Sequence, residues 1–183
     1  PFYGHISLIN LTQHLISPST TGYEGTAIES LYPSNTDILR LAHKQGALGA
    51  YVHPYSGDQD PLEGDLGGAK GFPVDLALGV VDYHELVSRA GWATYLVWHH
   101  ALNNGFRIAG VGGEDSISNL HKTAIVGQVR TYAHLGPRLT WNGWIEATRK
   151  GHSFVTNGPL LQLFINSQIP GEEVKLQPPD GRV

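Results

Sequence analysis

Three side chains that could bind a metal ion stand at predicted strand boundaries: His5, His53 and Asp115. His53 and Asp115 each follow an apolar run, whereas His5 precedes one. Neutral imidazoles and carboxylates at the edge of a parallel sheet can hold a divalent metal where substrate reaches it. The positions of these residues therefore predict a metal centre.

Each of the three residues also has an ordinary structural interpretation. A histidine before a proline, such as His53, can simply end its strand, and Asp115 can cap a solvated turn through its side chain. His5 marks the end of a strand only if that strand began before Pro1. Glu114, the immediate neighbour of Asp115, is expected to point away from the site.

Two further groups are candidates for proton transfer. In the predicted strand 80–87, His84 and Glu85 face opposite sides, so at most one enters the site, and Glu85 could support a ligand or act as a base. The pair matches the beginning of the zinc-protease helix motif, but the second histidine that the motif requires four positions after the first is absent. His121 follows Asp115 on the same predicted edge and could act as a ligand, a substrate contact or a proton carrier.

Several other charged residues have weaker functional interpretations. Arg107 and Arg130 could steady an anionic substrate, although long cations on strands more often form salt bridges at a rim. His99 and His100 are adjacent in a predicted helix and do not share a face, so packing is their expected role. The acidic run 58–65 lacks the spacing of a calcium loop and is expected to be solvated.

Strand and helix patterns alternate along most of the chain, and they must position these side chains. Ser34 begins a helix that Gly46 ends. Further helices are predicted over 73–78, 92–104 and 141–150, and strands over 4–11, 48–52, 80–87, 106–111, 126–132 and 153–156. This alternation favours a parallel sheet or barrel, with chemistry at the carboxyl ends of the strands. From residue 160 onward, short antiparallel strands are predicted around Pro170-Gly171.

Composition narrows the classes of protein that this chain can belong to. Its 183 residues are 40% hydrophobic, which suffices for a core, and a net charge of -4 without a basic run argues against nucleic-acid binding. The absence of cysteine excludes disulfides, thiol catalysis and cysteine-based zinc sites. No apolar stretch is long enough to span a bilayer, which argues against a membrane partner. Because the chain starts at Pro1 without Met, we expect it to be a piece of a longer polypeptide.

Several short segments stand in order between about Gly4 and Leu161. They are Gly4-His5-Ile6-Ser7-Leu8, Gly46-Ala47-Leu48 leading to His53-Pro54, the run 73–83, Leu102-Asn103-Asn104-Gly105-Phe106-Arg107 and the run 156–161. Each segment is modest alone, but the ordered set resembles the CehA/McbA-type metallohydrolases of the PHP (polymerase and histidinol phosphatase) superfamily.

The resemblance implies a fold and an activity. The fold would be α/β: a partial distorted (β/α)7 TIM-like barrel over residues 1–156, followed by the start of a small β domain over 157–183. His5, His53 and Asp115 match family ligands for a divalent metal (Zn, Mn or Fe). The activity would be hydrolysis of a small-molecule phosphoester, or of a carboxyl or carbamate ester, by metal-activated water.

The chain departs from the family pattern in two respects. The family's His-x-His pair and a further Glu ligand would lie before Pro1, and the usual Asp-x-His motif reads Asp115-Ser116-Ile117 here. An incomplete site favours an alternative: a catalytically degenerate barrel that binds a ligand or partner. A truncated barrel would also expose strand edges, so we expect either pairing with another copy or an incomplete ordered chain.

Overall fold

The computed structural model describes residues 3–14, 32–64, 66–87, 91–116 and 124–176. Within these ranges the chain forms six strands and four α-helices. In chain order they are β1 (Ile6–Ile9), α1 (Asn35–His43), β2 (Leu48–Tyr51), α2 (Phe72–Ala77), β3 (Tyr83–Val87), α3 (Ala93–Asn103), β4 (Ala109–Gly113), β5 (Arg130–Ala133), α4 (Trp141–Arg149) and β6 (Ser153–Thr156). A short 3₁₀ helix, Pro61–Glu63, precedes α2. The predicted order of elements up to β6 is confirmed.

The strands pair as three two-stranded sheets. β1 and β2 are antiparallel, β3 and β4 are parallel, and β5 and β6 are antiparallel. These sheets do not close into a barrel within the part of the chain that the structure describes. The prediction of a partial distorted (β/α)7 TIM-like barrel is therefore wrong, and the architecture is small mixed α/β.

The direction of β1 explains the error. Alternating strand and helix patterns indicate the type of each element, but they do not specify which way two strands run. Here Ile6 lies opposite Tyr51 and Ile9 lies opposite Leu48. The start of β1 is therefore next to the end of β2, which places His5 at the same edge as the residues that follow β2.

Strands of neighbouring sheets also lie side by side, β2 next to β3 and β4 next to β5 and β6. The Asp82 carboxylate accepts a hydrogen bond from the Gly49 amide at 2.7 Å, and the Asp82 amide donates to the Gly49 carbonyl at 2.9 Å. On the other side, the Gly112 amide donates to Thr131 Oγ1 at 2.9 Å. A Cβ at Gly112 would meet the Val155 side chain, so this glycine permits close packing of β4 and β6.

Apolar side chains form two buried clusters that support these strands. The first joins α1 and α3 to the segment that contains α2, and its members include Leu39, Tyr51, Tyr55, Phe72, Val97 and Ile108. The second consists of Leu48, Ala50, Tyr83, Ala109, Val111 and Ile145 on the strands and α4. Burying a large apolar side chain contributes about 1.5–3 kcal/mol, so these clusters hold the otherwise short strands together.

One buried carboxylate connects three elements. Asp75 in α2 is 2% exposed and accepts a hydrogen bond from the Tyr51 hydroxyl at 2.7 Å. The Thr36 hydroxyl in α1 donates to its other oxygen. Since a buried charge is tolerated only when it is hydrogen-bonded, this network ties α1, β2 and α2 together.

The predicted start of α1 is confirmed in detail. Ser34 has an extended backbone, with φ -72° and ψ 163°, and its side chain accepts a hydrogen bond from the Asp37 amide. The Asp37 carboxylate in turn accepts from the Ser34 amide at 3.0 Å. This reciprocal arrangement satisfies amides that the first turn leaves without partners.

The chain after β6 differs from its prediction. Residues 157–176 contain no regular strand, only an isolated bridge between Ile165 and Gln168. A turn does occur at Pro170 and Gly171. The predicted start of a small β domain is therefore wrong over the part of this segment that is described. Side chains of residues 160–165 are exposed here instead of covering a second sheet.

Candidate functional site

The antiparallel pairing of β1 and β2 brings two of the predicted ligands into contact. The Val52 amide donates to the His5 carbonyl at 3.1 Å, which extends the pairing beyond the strand ends. His5 Nδ1 then lies 3.0 Å from His53 Nε2. The ring centroids are 4.9 Å apart, and the rings are nearly perpendicular at 85°. Two imidazole nitrogens therefore face each other at one edge of the strands.

A buried carboxylate lies directly behind this pair of histidines. The His53 amide donates to Glu85 Oε2 at 2.8 Å, and Glu85 is only 6% exposed. The neighbouring His84 packs on the other side of β3, against Phe72, as the alternation of a strand requires. Of the two candidates on this strand, Glu85 is the one that enters the site.

Gly113 makes room for the Glu85 carboxylate. The two residues lie on the adjacent parallel strands β3 and β4, and a Cβ on Gly113 would overlap the carboxylate. Any larger residue at this position would push Glu85 away from His53. Gly113 thus serves the site by leaving space for the Glu85 side chain.

The backbone is unusual at two of the predicted ligands. His53 has φ 34° and Asp115 has φ 49°, both in the left-handed region that favours glycine. Such conformations in other residues cost about 1–3 kcal/mol and cluster at functional sites. His53 lies two residues after the end of β2 and Asp115 two residues after the end of β4, and these two strands flank β3.

Burial and neighbouring charges perturb the titration of this cluster. Burial raises the pKa of Glu85, the hydrogen bond from His53 opposes this effect, and the charges of Asp115 and Glu114 add to it. Burial and the nearby His53 lower the pKa of His5, while Asp115 partly offsets that change. His5 is thus favoured in the neutral form that metal ligands require, and Glu85 retains a proton to higher pH than an ordinary glutamate.

The acidic residues after β4 form no hydrogen bond with the histidine pair among the residues that the structure describes. Asp115 is exposed, although its charge acts on both His5 and Glu85. The Glu114 carboxylate accepts a hydrogen bond from the Gly127 amide. His121 lies outside the described residues.

The two predicted substrate-binding arginines lie elsewhere. Arg107 is exposed and forms a 2.7 Å salt bridge with Glu173, which is the rim interaction that the sequence also allowed. Arg130 is exposed at the first position of β5. The structure joins neither arginine to the pair of histidines.

The histidine pair fits two positions of a metal site, but the full predicted set is not assembled. Two nitrogens bound to one tetrahedral zinc ion at 2.0–2.1 Å would be about 3.3 Å apart, close to the 3.0 Å between His5 and His53. The same distance suits a hydrogen bond between neutral rings. Among the described residues, no group of three or more His, Asp or Glu side chains is placed to hold a metal ion. Asp115 would have to turn toward the pair to complete one.

Sequence reasoning missed two pairs of interacting residues. His100 Nε2 lies 2.5 Å from Asp60, and His43 Nε2 lies 2.8 Å from Asp82. The acidic loop was expected to be solvated, whereas Asp60 is engaged with α3 and Asp58 accepts a hydrogen bond from the Trp92 amide at 3.1 Å. These partners are about 35–40 positions apart, and no local sequence pattern signals such contacts.

Comparison with known proteins identified no relative of this chain. No family model, curated protein or solved structure matches this chain. In the part of the chain that is described, none of the helices is both long and apolar enough to cross a membrane. The similarity to the CehA/McbA-type metallohydrolases therefore remains a prediction that depends on the segments quoted above.

Proposed function

We propose that His5 and His53 belong to the metal centre of a hydrolase that acts on a phosphoester, or on a carboxyl or carbamate ester. The observation that carries the proposal is the approach of two imidazole nitrogens to 3.0 Å, beside a buried carboxylate and at an exposed edge. The quoted segments that resemble the CehA/McbA-type metallohydrolases support the same activity.

In this proposal the two histidines and Asp115 would hold a divalent ion, either Zn, Mn or Fe. When bound, the ion would polarise the scissile group and lower the pKa of a bound water. The histidines contribute neutral nitrogens, and the lowered pKa of His5 keeps that ring available near neutral pH. Asp115 would contribute a carboxylate from the exposed segment after β4.

Glu85 would position the site and hold a proton. Its carboxylate accepts the His53 amide, which fixes the backbone from which that imidazole projects. Because burial raises its pKa, the carboxyl can take up a proton more readily than an exposed glutamate. Proton transfer in the reaction is therefore assigned to Glu85, in addition to its structural role.

A binding module without catalysis is the second candidate. The described residues do not assemble three metal-binding side chains, and Ile117 stands where the family pattern has a histidine. A protein of this kind would bind a ligand or a partner at the same edge. The two candidates differ in metal content and in turnover.

Metal binding and hydrolysis should be measured on the same protein. We would strip it with a chelator, titrate it with Zn²⁺, Mn²⁺ or Fe²⁺ by calorimetry, and assay aryl phosphates and aryl esters. His5→Ala and His53→Ala should each weaken metal binding at least tenfold, since each removes a ligand. His134→Ala, which removes an exposed imidazole directly after β5, is the matched control.

The results separate the alternatives. Stoichiometric metal binding with turnover supports the hydrolase, and metal binding without turnover on any ester supports the binding module. If the stripped protein takes up no metal, or if His134→Ala weakens binding as much as His53→Ala, the proposed metal centre is wrong.

A further inference from the structure

A groove lies at the other end of β4 from the histidine pair. This groove has a volume of about 1220 Å³ and runs between α3, the start of β4 and β6. Tyr95, Trp98 and Leu102 on α3 form an apolar wall. The Trp98 indole donates to the Ile108 carbonyl at 3.0 Å, which fixes the ring against the strand. The groove therefore offers a rigid aromatic surface of a size suited to a small molecule.

The rim of the groove is cationic. Arg107, Arg149 and Lys150 line it near the starts of β4 and β6, with the His152 ring beside them. The acidic residues among its lining side chains are Glu172 and Glu173. Both belong to residues 170–173, which we call the acidic strap. Charge at the rim is thus balanced by carboxylates that the chain itself supplies.

The acidic strap contacts each side of the groove through one carboxylate. Glu173 lies 2.7 Å from the Arg107 guanidinium, and Glu172 lies 2.9 Å from His152 Nε2. Gly171 has φ 88°, and a Cβ there would meet the Lys150 carbonyl at 2.6 Å. A glycine is therefore needed for the strap to lie directly on the turn that follows α4.

The pair between Arg107 and Glu173 holds the strap only weakly. The side chains of Arg107 and Glu173 are 73% and 52% exposed, and exposed ion pairs contribute little to stability. In the segment that leads to the strap, Leu161 and Leu163 are 72% and 60% exposed, so these two side chains add little apolar burial that would anchor it. An external anion of similar chemistry can therefore replace the strap carboxylates.

We propose that the groove is a second binding site, for a small carboxylate carried on an aromatic body, and that the acidic strap occupies its cationic rim in the absence of that ligand. The carboxylate would take the place of Glu172 or Glu173 at Arg107 and His152, while the aromatic part would pack on Tyr95 and Trp98. This site is independent of the proposed hydrolase centre.

Naphthalene-2-carboxylate and its neutral carboxamide are suitable probes. Binding would be followed by NMR through the indole N–H resonance of Trp98, assigned with Trp98→Phe. The carboxylate should shift that resonance, and the carboxamide should bind roughly tenfold more weakly, since it lacks the charge that pairs with Arg107. Equal affinity for the two probes would overturn the proposal.

Variants of the acidic strap test whether its carboxylates compete with the ligand for the rim of the groove. Glu172→Gln combined with Glu173→Gln should tighten carboxylate binding roughly three- to tenfold by removing two weak competing pairs. Gly171→Ala should act in the same direction without a charge change, because the added Cβ lifts the strap. Arg107→Gln should weaken binding to the level of the carboxamide, and Glu63→Gln, an exposed acid elsewhere, should change nothing.

Two results would contradict the proposed binding site. Unchanged affinity in both strap variants would show that the strap is a fixed structural element and not an occupant. Shifts confined to residues 160–165, without Trp98, would place the probe on exposed apolar side chains and overturn the proposed site. His53→Ala should leave naphthalene-2-carboxylate binding intact, so failure of the metal centre and failure of this groove are separable.

Discussion

Replacement of the buried His84 by glutamine should reduce the loss of folding stability that occurs as the pH falls from 7 to 5. The imidazole is 0% exposed and packs against Phe72 and Tyr55, with ring centroids 5.0 Å and 6.3 Å away. Its Nε2 lies 2.9 Å from the Thr94 carbonyl, and Nδ1 has no hydrogen-bond partner among the described residues. Burial lowers the pKa of His84 from 6.5 to about 4, with the Thr94 contact opposing that change.

The direction and size of this stability change follow from the different proton affinities of His84 in the folded and unfolded chain. The unfolded chain binds a proton at His84 as the pH falls below 6.5, whereas the folded chain resists it down to about 4. The stability associated with the neutral ring is therefore complete above pH 6.5 and is lost progressively toward pH 4. At pH 5 the loss relative to pH 7 is about 2 kcal/mol, since each pKa unit is worth about 1.4 kcal/mol.

Urea unfolding followed by circular dichroism at pH 7 and pH 5 measures this loss. The wild type should lose about 2 kcal/mol more than His84→Gln between the two pH values, whatever the stability of the variant at pH 7. His134→Gln, at an exposed position, should retain the wild-type difference. An equal loss in the wild type and in His84→Gln would refute the assignment to the buried ring.

Four further outcomes are expected. Asp75→Ala should lower the free energy of unfolding by about 3 kcal/mol, because the buried Tyr51 hydroxyl loses its acceptor; equal urea midpoints would contradict this. Ser34→Ala should cost about 1 kcal/mol by removing the cap of α1, read from the thermal midpoint. Gly113→Ala should displace the Glu85 carboxylate and weaken metal binding in calorimetry, without touching a ligand. From its sequence the chain is expected either to pair with another copy or to be part of a longer ordered chain: a dimer in sedimentation equilibrium would support pairing, and a monomer at high concentration would contradict it.

Local elements were predictable because their signals are local. The cap at Ser34 depends on residues three apart, and the structure shows both hydrogen bonds of that cap. An apolar run located β2, since short apolar runs are typical of buried strands. The same reasoning failed for residues 160–165, where an apolar run stays exposed and forms no regular strand. A strand needs a partner strand, and an apolar pattern does not supply one.

The candidate site was predictable only in part. His53 was identified from its place at the end of a predicted strand, and alternation along the next strand allowed only one of His84 and Glu85 to enter the site. In the structure Glu85 does so, through a hydrogen bond from the amide of His53. His5 fitted a parallel sheet poorly, since it precedes its strand. The antiparallel pairing of β1 with β2 resolves this difficulty, because it places the start of one strand beside the end of the other.

The sequence by itself determined the type and order of the elements up to β6 and the side chains available for chemistry. Periodicity, caps and turn residues act over a few positions, so they can be read from neighbouring residues. Only the tertiary structure decided the direction of β1, the absence of a closed barrel among the described residues, and the meeting of His5 with His53. These depend on hydrogen bonds and packing between segments tens of residues apart, whose free energies no local pattern encodes.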